Sequence, residues 1–538
     1  MQAIRVRNRL QAGSYLQPRR PTPHSALRLP QWTAATAALL ALAGTAALRA
    51  DEPYRNLRDA TLEYHGPAGD FADLTELRLG WFGPSEPADP LYGDAWFAAT
   101  LALDEANAAA ARSGTLRVPS APGADSGLTP ACPSASGPTT EPSPRPVSSD
   151  GGSGFTPDSS APSSASEPST LDPRPSTSSE LPFRLIPRWA PDPWRAGVSL
   201  LARMVYEEQP LALLGSVDSA STHLAEQIVA KAQLPLVSPF TTDKSLTLAG
   251  VAWMFACAPS DVAIASTLVD AVLAAVSPPG GAGFTPAIPP SPVAEPRSDS
   301  VLPPAPATQS AIRTPQSAIL LLSATDHESR LTAREVMREF SQRQRLPDSR
   351  FELTPGLAFP PQVLAALEQS APTIVVLIAT ADDSARWLTT LREHLASRLP
   401  AGAAAPVFFG SHTLGRTRFL ELAGPAAEGV QFPLLWNPDV AASPEAAAFT
   451  ARFRAARGHA PDYTAVYTYD ATRLLVAAIR RGGPNRARIR ESLLALSPWA
   501  GLAGTVHFDG TGQNTRSALP MGTIRGGAVI PLALPSAP

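Results

Sequence analysis

Residues 206–261 read YEEQPLALLGSVDSASTHLAEQIVAKAQLPLVSPFTTDKSLTLAGVAWMFACAPSD, and this stretch decides the fold. Residues 211–214 form a short apolar run closed by Gly215, and residues 234–237 form another closed by Ser238 and Pro239. Short unbroken apolar runs of this kind predict parallel strands buried on both faces. Between them Leu224, Ala225, Ile228, Val229 and Ala232 recur at helical spacing, leaving Glu226, Gln227 and Lys231 for water. Strand, amphipathic helix and strand in that order make a βαβ unit.

The polar residues of the unit gather at one end. Asp218, Ser219, Ser221 and Thr222 follow the first strand, and Thr241, Thr242 and Asp243 follow the second. Both turns therefore lie at the carboxyl edge of a parallel sheet, where helix N-termini present free N–H groups and a positive dipole end to a ligand. Two hydroxyl-bearing turns on one edge suit a small anionic group. The same residue types are the preferred helix caps, so each taken alone also fits a purely structural role.

The run GSVDSASTHLAEQIVAKAQLPLVSPFTTDKSLTLAG resembles the first lobe of type I periplasmic solute-binding proteins, the leucine/isoleucine/valine-binding receptors of ABC importers. The family pattern is a Gly, a Ser four residues on, a helix, then a strand ending in Ser-Pro before a Thr-rich turn. Gly215, Ser219, Ser238, Pro239 and Thr242 hold those places. Two further motifs follow in family order, ELAGPAAEGVQF at 421–432 and GLAGTVHFDGTGQN at 501–514. The resemblance covers residues 77–532 apart from two insertions. It implies an α/β protein of two doubly wound parallel-sheet lobes that close on a ligand like a clamp.

Length and composition agree with that outline. The chain's 538 residues exceed what a single core organises and allow two domains or more. Its 59 Pro are about twice the usual share, which points to low-complexity segments beside globular ones. A net charge of −3, with no long basic run beyond the extreme N-terminus, gives nucleic acid no footing. Residues 1–50 contain no Asp or Glu and carry Arg5, Arg7, Arg9, Arg19, Arg20 and Arg28 ahead of an apolar run at 33–48. That order is the order of an export signal, and the run is shorter than the roughly 20 residues of a comfortable membrane span. A cleaved signal peptide is expected, with an uncleaved N-terminal anchor as the alternative, and the location is periplasmic or otherwise extracytoplasmic.

The chain then divides by composition and by the resemblance. Residues 51–76 are a polar approach segment and 77–117 begin lobe 1. Residues 118–180 are rich in Ser, Pro, Gly and Thr and too poor in large apolar residues to fold, so a disordered insertion is predicted. Lobe 1 continues over 181–276, a second disordered Pro/Ala/Ser insertion occupies 277–311 at the hinge, and lobe 2 spans 312–440. Residues 441–503 return to lobe 1 as helices, and 504–538 complete lobe 2 and form a tail.

For the site, the resemblance implies ligand contacts at five residues. Ser219 and Thr242, with backbone N–H groups around Phe240, hold a carboxylate or amide oxygen; Tyr92, just ahead of the first helix, covers the apolar part. Glu428 of the AAEG motif meets an ammonium group, a charge-assisted contact. The sequence also departs from the family. The Tyr-Gly pair expected after the first strand of lobe 2 is replaced by Asp326, His327, Glu328 and Ser329; Phe240 stands where relatives carry a small residue, and Ala256 where many carry Arg. A branched-chain amino acid is therefore one candidate ligand among several.

Catalysis and metals find little support. Ser219, His223 and Asp218 lack a glycine-flanked nucleophile elbow, and no GxxxxGK[ST] loop or GxGxxG fingerprint occurs, so no enzyme is expected. With only Cys132 and Cys257, and no clustered histidines, no metal site and no cofactor are expected. The expected function is the extracytoplasmic solute-binding protein of an ABC importer, a monomer that captures a small polar ligand, an amino acid or related amide or carboxylate, and presents it to an inner-membrane ABC permease. The alternative is a membrane-anchored ligand-sensing or protein-interaction module with no transport role, which retention of residues 1–50 in the mature protein would favour.

Overall fold

The computed structural model describes residues 71, 74–113, 181–190, 196–215, 217–276, 318–398, 404–436 and 443–532, all within one compact unit, Tyr54–Pro538. The expectations for residues 1–50, 118–180 and 277–311, and for Cys132, fall outside the described residues.

Lobe 1 opens with β1 (Leu77–Phe82), α1 (Gly93–Arg112), β2 (Phe183–Arg188), α2 (Val198–Arg203) and β3 (Ala212–Gly215). It continues with α3 (Ser219–Ala232), β4 (Leu236–Ser238), α4 (Ser245–Leu248) and β5 (Met254–Pro259). The five strands are parallel in the order β5-β4-β3-β1-β2, so the winding reverses between β1 and β3. Ligands of open α/β sheets bind outside the carboxyl ends at such a switch point. At the end of β3, Gly215 takes φ +108°, a backbone state that glycine alone reaches without strain, and the chain turns there toward α3.

The chain crosses at Asp261. α5 (Asp261–Val276) packs Ala265, Leu268, Val269 and Val272 against the second lobe, beside Ile319, Leu321 and Phe409. This corrects the expected division: the crossing precedes α5, so residues 262–276 pack with lobe 2. Lobe 2 runs through β6 (Ile319–Ala324), α6 (His327–Gln342), β7 (Ser349–Leu353), α7 (Pro361–Ser370) and β8 (Ile374–Ile378). It goes on through α8 (Ala381–Arg398), β9 (Val407–Gly410), α9 (Thr417–Ala423) and β10 (Gln431–Pro433). The parallel order β10-β9-β8-β6-β7 repeats that of lobe 1. β6 and β8 are buried at every residue, as strands covered by helices on both faces must be.

Three helices return to lobe 1: α10 (Pro444–Arg457), α11 (Tyr463–Gly482) and α12 (Arg486–Leu496). α11 buries most of its length against α1 and the sheet, carrying Val466, Tyr467, Leu474, Leu475 and Ile479 into the core of lobe 1. A hairpin of β11 (Trp499–Gly501) and β12 (Gly504–Val506) follows, and β13 (Gln513–Asn514) pairs in parallel with β5. Residues up to 514 thus belong to lobe 1, later than expected. Finally β14 (Met521–Arg525) and β15 (Ala528–Pro531) add antiparallel strands to the sheet of lobe 2. Among the described residues no helix is long and apolar enough to cross a membrane.

The free edge of lobe 1 is closed by a side chain. Asn107 of α1 donates to Phe183 O at 2.9 Å and accepts from Phe183 N at 2.8 Å, acting as a strand partner for β2. Asn107→Ala leaves both backbone groups without that partner beside a buried phenyl ring, and is expected to cost about 2 kcal/mol. Chemical denaturation checks it; a loss under about 0.5 kcal/mol would mean water substitutes for the amide.

Candidate ligand site between the lobes

Contacts across the gap set the carboxyl edges of the two sheets face to face. Lys244, after β4, reaches Glu335 of α6 at 2.6 Å, and the rings of His223 on α3 and His327 on α6 meet edge to face with centroids 6.0 Å apart. Arg416, just ahead of α9, donates to Leu91 O and lies 3.1 Å from Asp462, the cap of α11.

On the lobe 1 wall, Asp218 caps α3. Its carboxylate accepts from Ser221 N and Ser221 Oγ, each at 2.7 Å, and its carbonyl accepts from Thr222 Oγ1 at 2.6 Å. Capping thus occupies two of the three hydroxyls at this turn. Ser219 Oγ is fully buried and has no hydrogen-bond partner, and the same holds for Ser238 Oγ at the end of β4. Buried polar groups are nearly always paired, so an orphaned hydroxyl at a helix N-terminus marks a place for a ligand atom. Tyr92 stacks on Phe240 with ring centroids 6.4 Å apart and planes at 17°.

The lobe 2 wall is acidic. Asp326 caps α6 through Ser329 N at 3.0 Å and keeps Oδ2 buried without a partner, as is His412 Nδ1 after β9. Asp326, Glu328, Ser329, Thr380 and His412 line a cavity of about 30 Å³. Burial, then the negative charges of Asp218 and Asp326, push the Glu328 carboxyl up to about 8, with Arg416 offsetting only part of the effect. Burial and Arg416 push His412 down to about 3, so its ring is neutral. Burial opposes the Arg416 charge, but Asp462, Tyr463 and Tyr92 outweigh it and keep the guanidinium firmly protonated. The phenol of Tyr92 is pushed up by burial and by Asp218 and Glu328. Groups from both lobes therefore share one electrostatic environment.

The sequence pattern of the periplasmic binding protein family matches residues 193–528, more than half of the chain. The chain belongs to the periplasmic binding protein family. No curated protein sequence matches it. Solved structures share its fold at low identity. The leucine-binding protein LivK of Thermotoga maritima is 14% identical, with 85% of this chain and 98% of that one covered at a TM-score of 0.56. The branched-chain amino acid transporter substrate-binding protein LivJ of Streptococcus pneumoniae, in complex with isoleucine, is 14% identical over 85% of this chain and 100% of that one, TM-score 0.57. A solute-binding protein of an ABC transporter from R. palustris, in complex with benzoate, is 13% identical over 85% and 95%, TM-score 0.56. These likenesses bear out the two-lobed α/β fold.

In this periplasmic binding protein the expected site residues divide. Tyr92 and Phe240 come together, and Ser219 begins α3 at the carboxyl edge of the lobe 1 sheet. Thr242 is buried at the crossing, its carbonyl accepting from Asp261 N at 2.7 Å. Glu428 does not join them. It precedes β10, which runs parallel to β9, and so lies at the amino edge of the lobe 2 sheet; its exposed carboxylate accepts from Gly526 N at 2.9 Å. The expected ammonium contact there is corrected by strand direction alone. Glu328, Asp326 and Arg416 were not assigned ligand roles, although residues 326–329 stood directly after the first strand of lobe 2, the position that a carboxyl-edge argument singles out.

Proposed function

We propose that the chain is the extracytoplasmic solute-binding protein of an ABC importer and that its cleft takes a small zwitterion, an α-amino acid or a close relative. The observation that carries this is the pair of unlike walls. A buried, unpartnered Ser219 hydroxyl at the N-terminus of α3 awaits an anionic end on lobe 1, while on lobe 2 Asp326 and Glu328 stand together, the Glu328 carboxyl pushed up by burial and by more negative charge than Arg416 offsets. An ammonium group there would replace the proton that Glu328 holds. Tyr92 and Phe240 supply an apolar face for the rest of the ligand, and Ser219 and Thr242 hold its carboxylate. A ligand touching both walls stabilises the closed form by its differential affinity, which is how a permease would tell loaded from empty protein. Family membership implies an extracytoplasmic place of work; a cleaved signal ahead of Asp51 fits it.

Ser219→Ala separates this role from a structural one. The Oγ has no partner to lose, so the melting temperature of the ligand-free protein is expected to stay level or rise. Affinity for the ligand is expected to fall about tenfold to hundredfold, the worth of a hydrogen bond to a charged group. Calorimetric titration of amino acids into wild type and variant checks both. Equal affinity, or no amino acid binding the wild type at all, would return the reading to an anchored sensing or interaction module.

A further inference from the structure

A second cluster lies beside the acidic wall and is not used by the reading above. His223 of α3, Asp243 of the turn after β4 and His327, the first residue of α6, bring one ligand-capable atom each to within 4.8 Å of one another. The histidines are remote in sequence and on different lobes, so only the closed fold unites them. Their surroundings are built. Glu226 Oε2 stands 3.2 Å from His223 Nδ1 and Asp243 Oδ2 stands 2.9 Å from Nε2, so the ring is held in place from both sides. Ser245 donates through N at 2.8 Å and through Oγ at 2.7 Å to Asp243 Oδ1, leaving Oδ2 as the oxygen that faces the cluster. Ser245 Oγ also lies 3.1 Å from His223 Nε2. A carboxylate behind a histidine and hydrogen bonds behind a carboxylate are the supports that orient metal ligands.

We propose that His223, Asp243 and His327 form a three-ligand site for a divalent transition-metal ion, with zinc the best match, that bridges the two lobes. Two imidazoles and one carboxylate suit zinc; magnesium and calcium require oxygen ligands. Three protein ligands leave a coordination position open to water or to a group of the bound solute. Because the donors come from both lobes, the ion binds the closed arrangement best and holds it. The proposal does not depend on which solute the cleft takes. It also departs from the sequence reading, in which no histidines cluster.

The test titrates zinc chloride into chelator-stripped full chain, by calorimetry and by competition with a chromogenic chelator, and follows the radius of gyration by small-angle scattering. His327 is exposed, so His327→Ala does not disturb the core; His507→Ala, at another exposed histidine, is the control. One zinc site per chain is expected, weakened at least about tenfold in His223→Ala and in His327→Ala and unchanged in His507→Ala. Zinc is expected to shrink the wild type and leave His327→Ala unchanged in size, and a large excess of magnesium is expected not to compete. Zinc binding equal in wild type and His327→Ala overturns the proposal, as does the absence of a stoichiometric site in the wild type. Binding lost in His223→Ala but kept in His327→Ala overturns the bridge.

Discussion

Asp462→Ala is expected to destabilise the protein by about 4 kcal/mol. Its carboxylate is buried and fully used. Oδ1 accepts from Thr464 N at 2.9 Å, Thr464 Oγ1 at 2.6 Å and Ala465 N at 3.4 Å, capping α11; Oδ2 accepts from Arg416 Nε at 3.1 Å and Thr417 N at 3.2 Å. One side chain therefore starts the central helix of lobe 1 and ties it to the start of α9 in lobe 2. Losing a helix cap costs about 1 kcal/mol, and removing one partner of a buried ion pair costs about 3 more because the other charge stays behind. Asp462→Asn keeps a capping oxygen and loses the charge, so it is expected to fall between the variant and the wild type. Denaturant unfolding at neutral pH measures all three; equal stability of the Asn and Ala variants would place the whole effect in the charge.

Glu328→Gln is expected to weaken an ammonium-bearing ligand about thirtyfold to hundredfold, since it removes a desolvated charge partner while Asp326 and Asp218 remain. The proton on Glu328 gives the effect a second signature. In the empty cleft its carboxyl sits at about 8, so near pH 7 it is mostly protonated. A bound cation favours the carboxylate, and binding is expected to release most of one proton per ligand near pH 7, dwindling above pH 8 where the group is already ionised. Calorimetry in buffers of different ionisation enthalpy reads that release, and Glu328→Gln is expected to abolish it. The same shift acts on stability. A folded-state value raised above the ordinary 4.5 adds stability that is complete below about pH 4.5 and is lost as pH climbs toward 8. The empty protein is therefore expected to lose melting temperature over that window, and saturating ligand to flatten this part of the slope.

Much of the architecture was legible because the periodicities are strong. α10 and α12 lie within residues 441–503, the stretch expected to return to lobe 1 as helices, each opened by a capping residue, Ser443 and Asn485. β5 was not singled out. Its sequence, MFACAP, carries no alternation, because it is buried on both faces and its neighbours decide its state. α5 was read into lobe 1 because an apolar helix records that it is buried but not against which sheet. α11 begins at Tyr463, where the Asp462 cap and tertiary burial support β-branched and aromatic residues that propensity alone disfavours.

The site was legible where chemistry and sheet edge coincide in one turn, as at Ser219, and illegible where several turns meet. Nothing local distinguishes Glu328 from Glu428; both are acids near predicted turns. Their roles separate only when strand direction places one at the carboxyl edge and the other at the amino edge. The convergence of His223 with His327 is likewise a property of the closed lobes.

The zwitterion claim is tested most directly by calorimetric titration of wild type with a panel of α-amino acids and then, for the tightest, with its decarboxylated amine and its deaminated acid. The amino acid is expected to bind and each truncated analogue to lose at least about a hundredfold, because each leaves one charged wall unanswered. A deaminated acid that binds as tightly as the parent amino acid would contradict the claim.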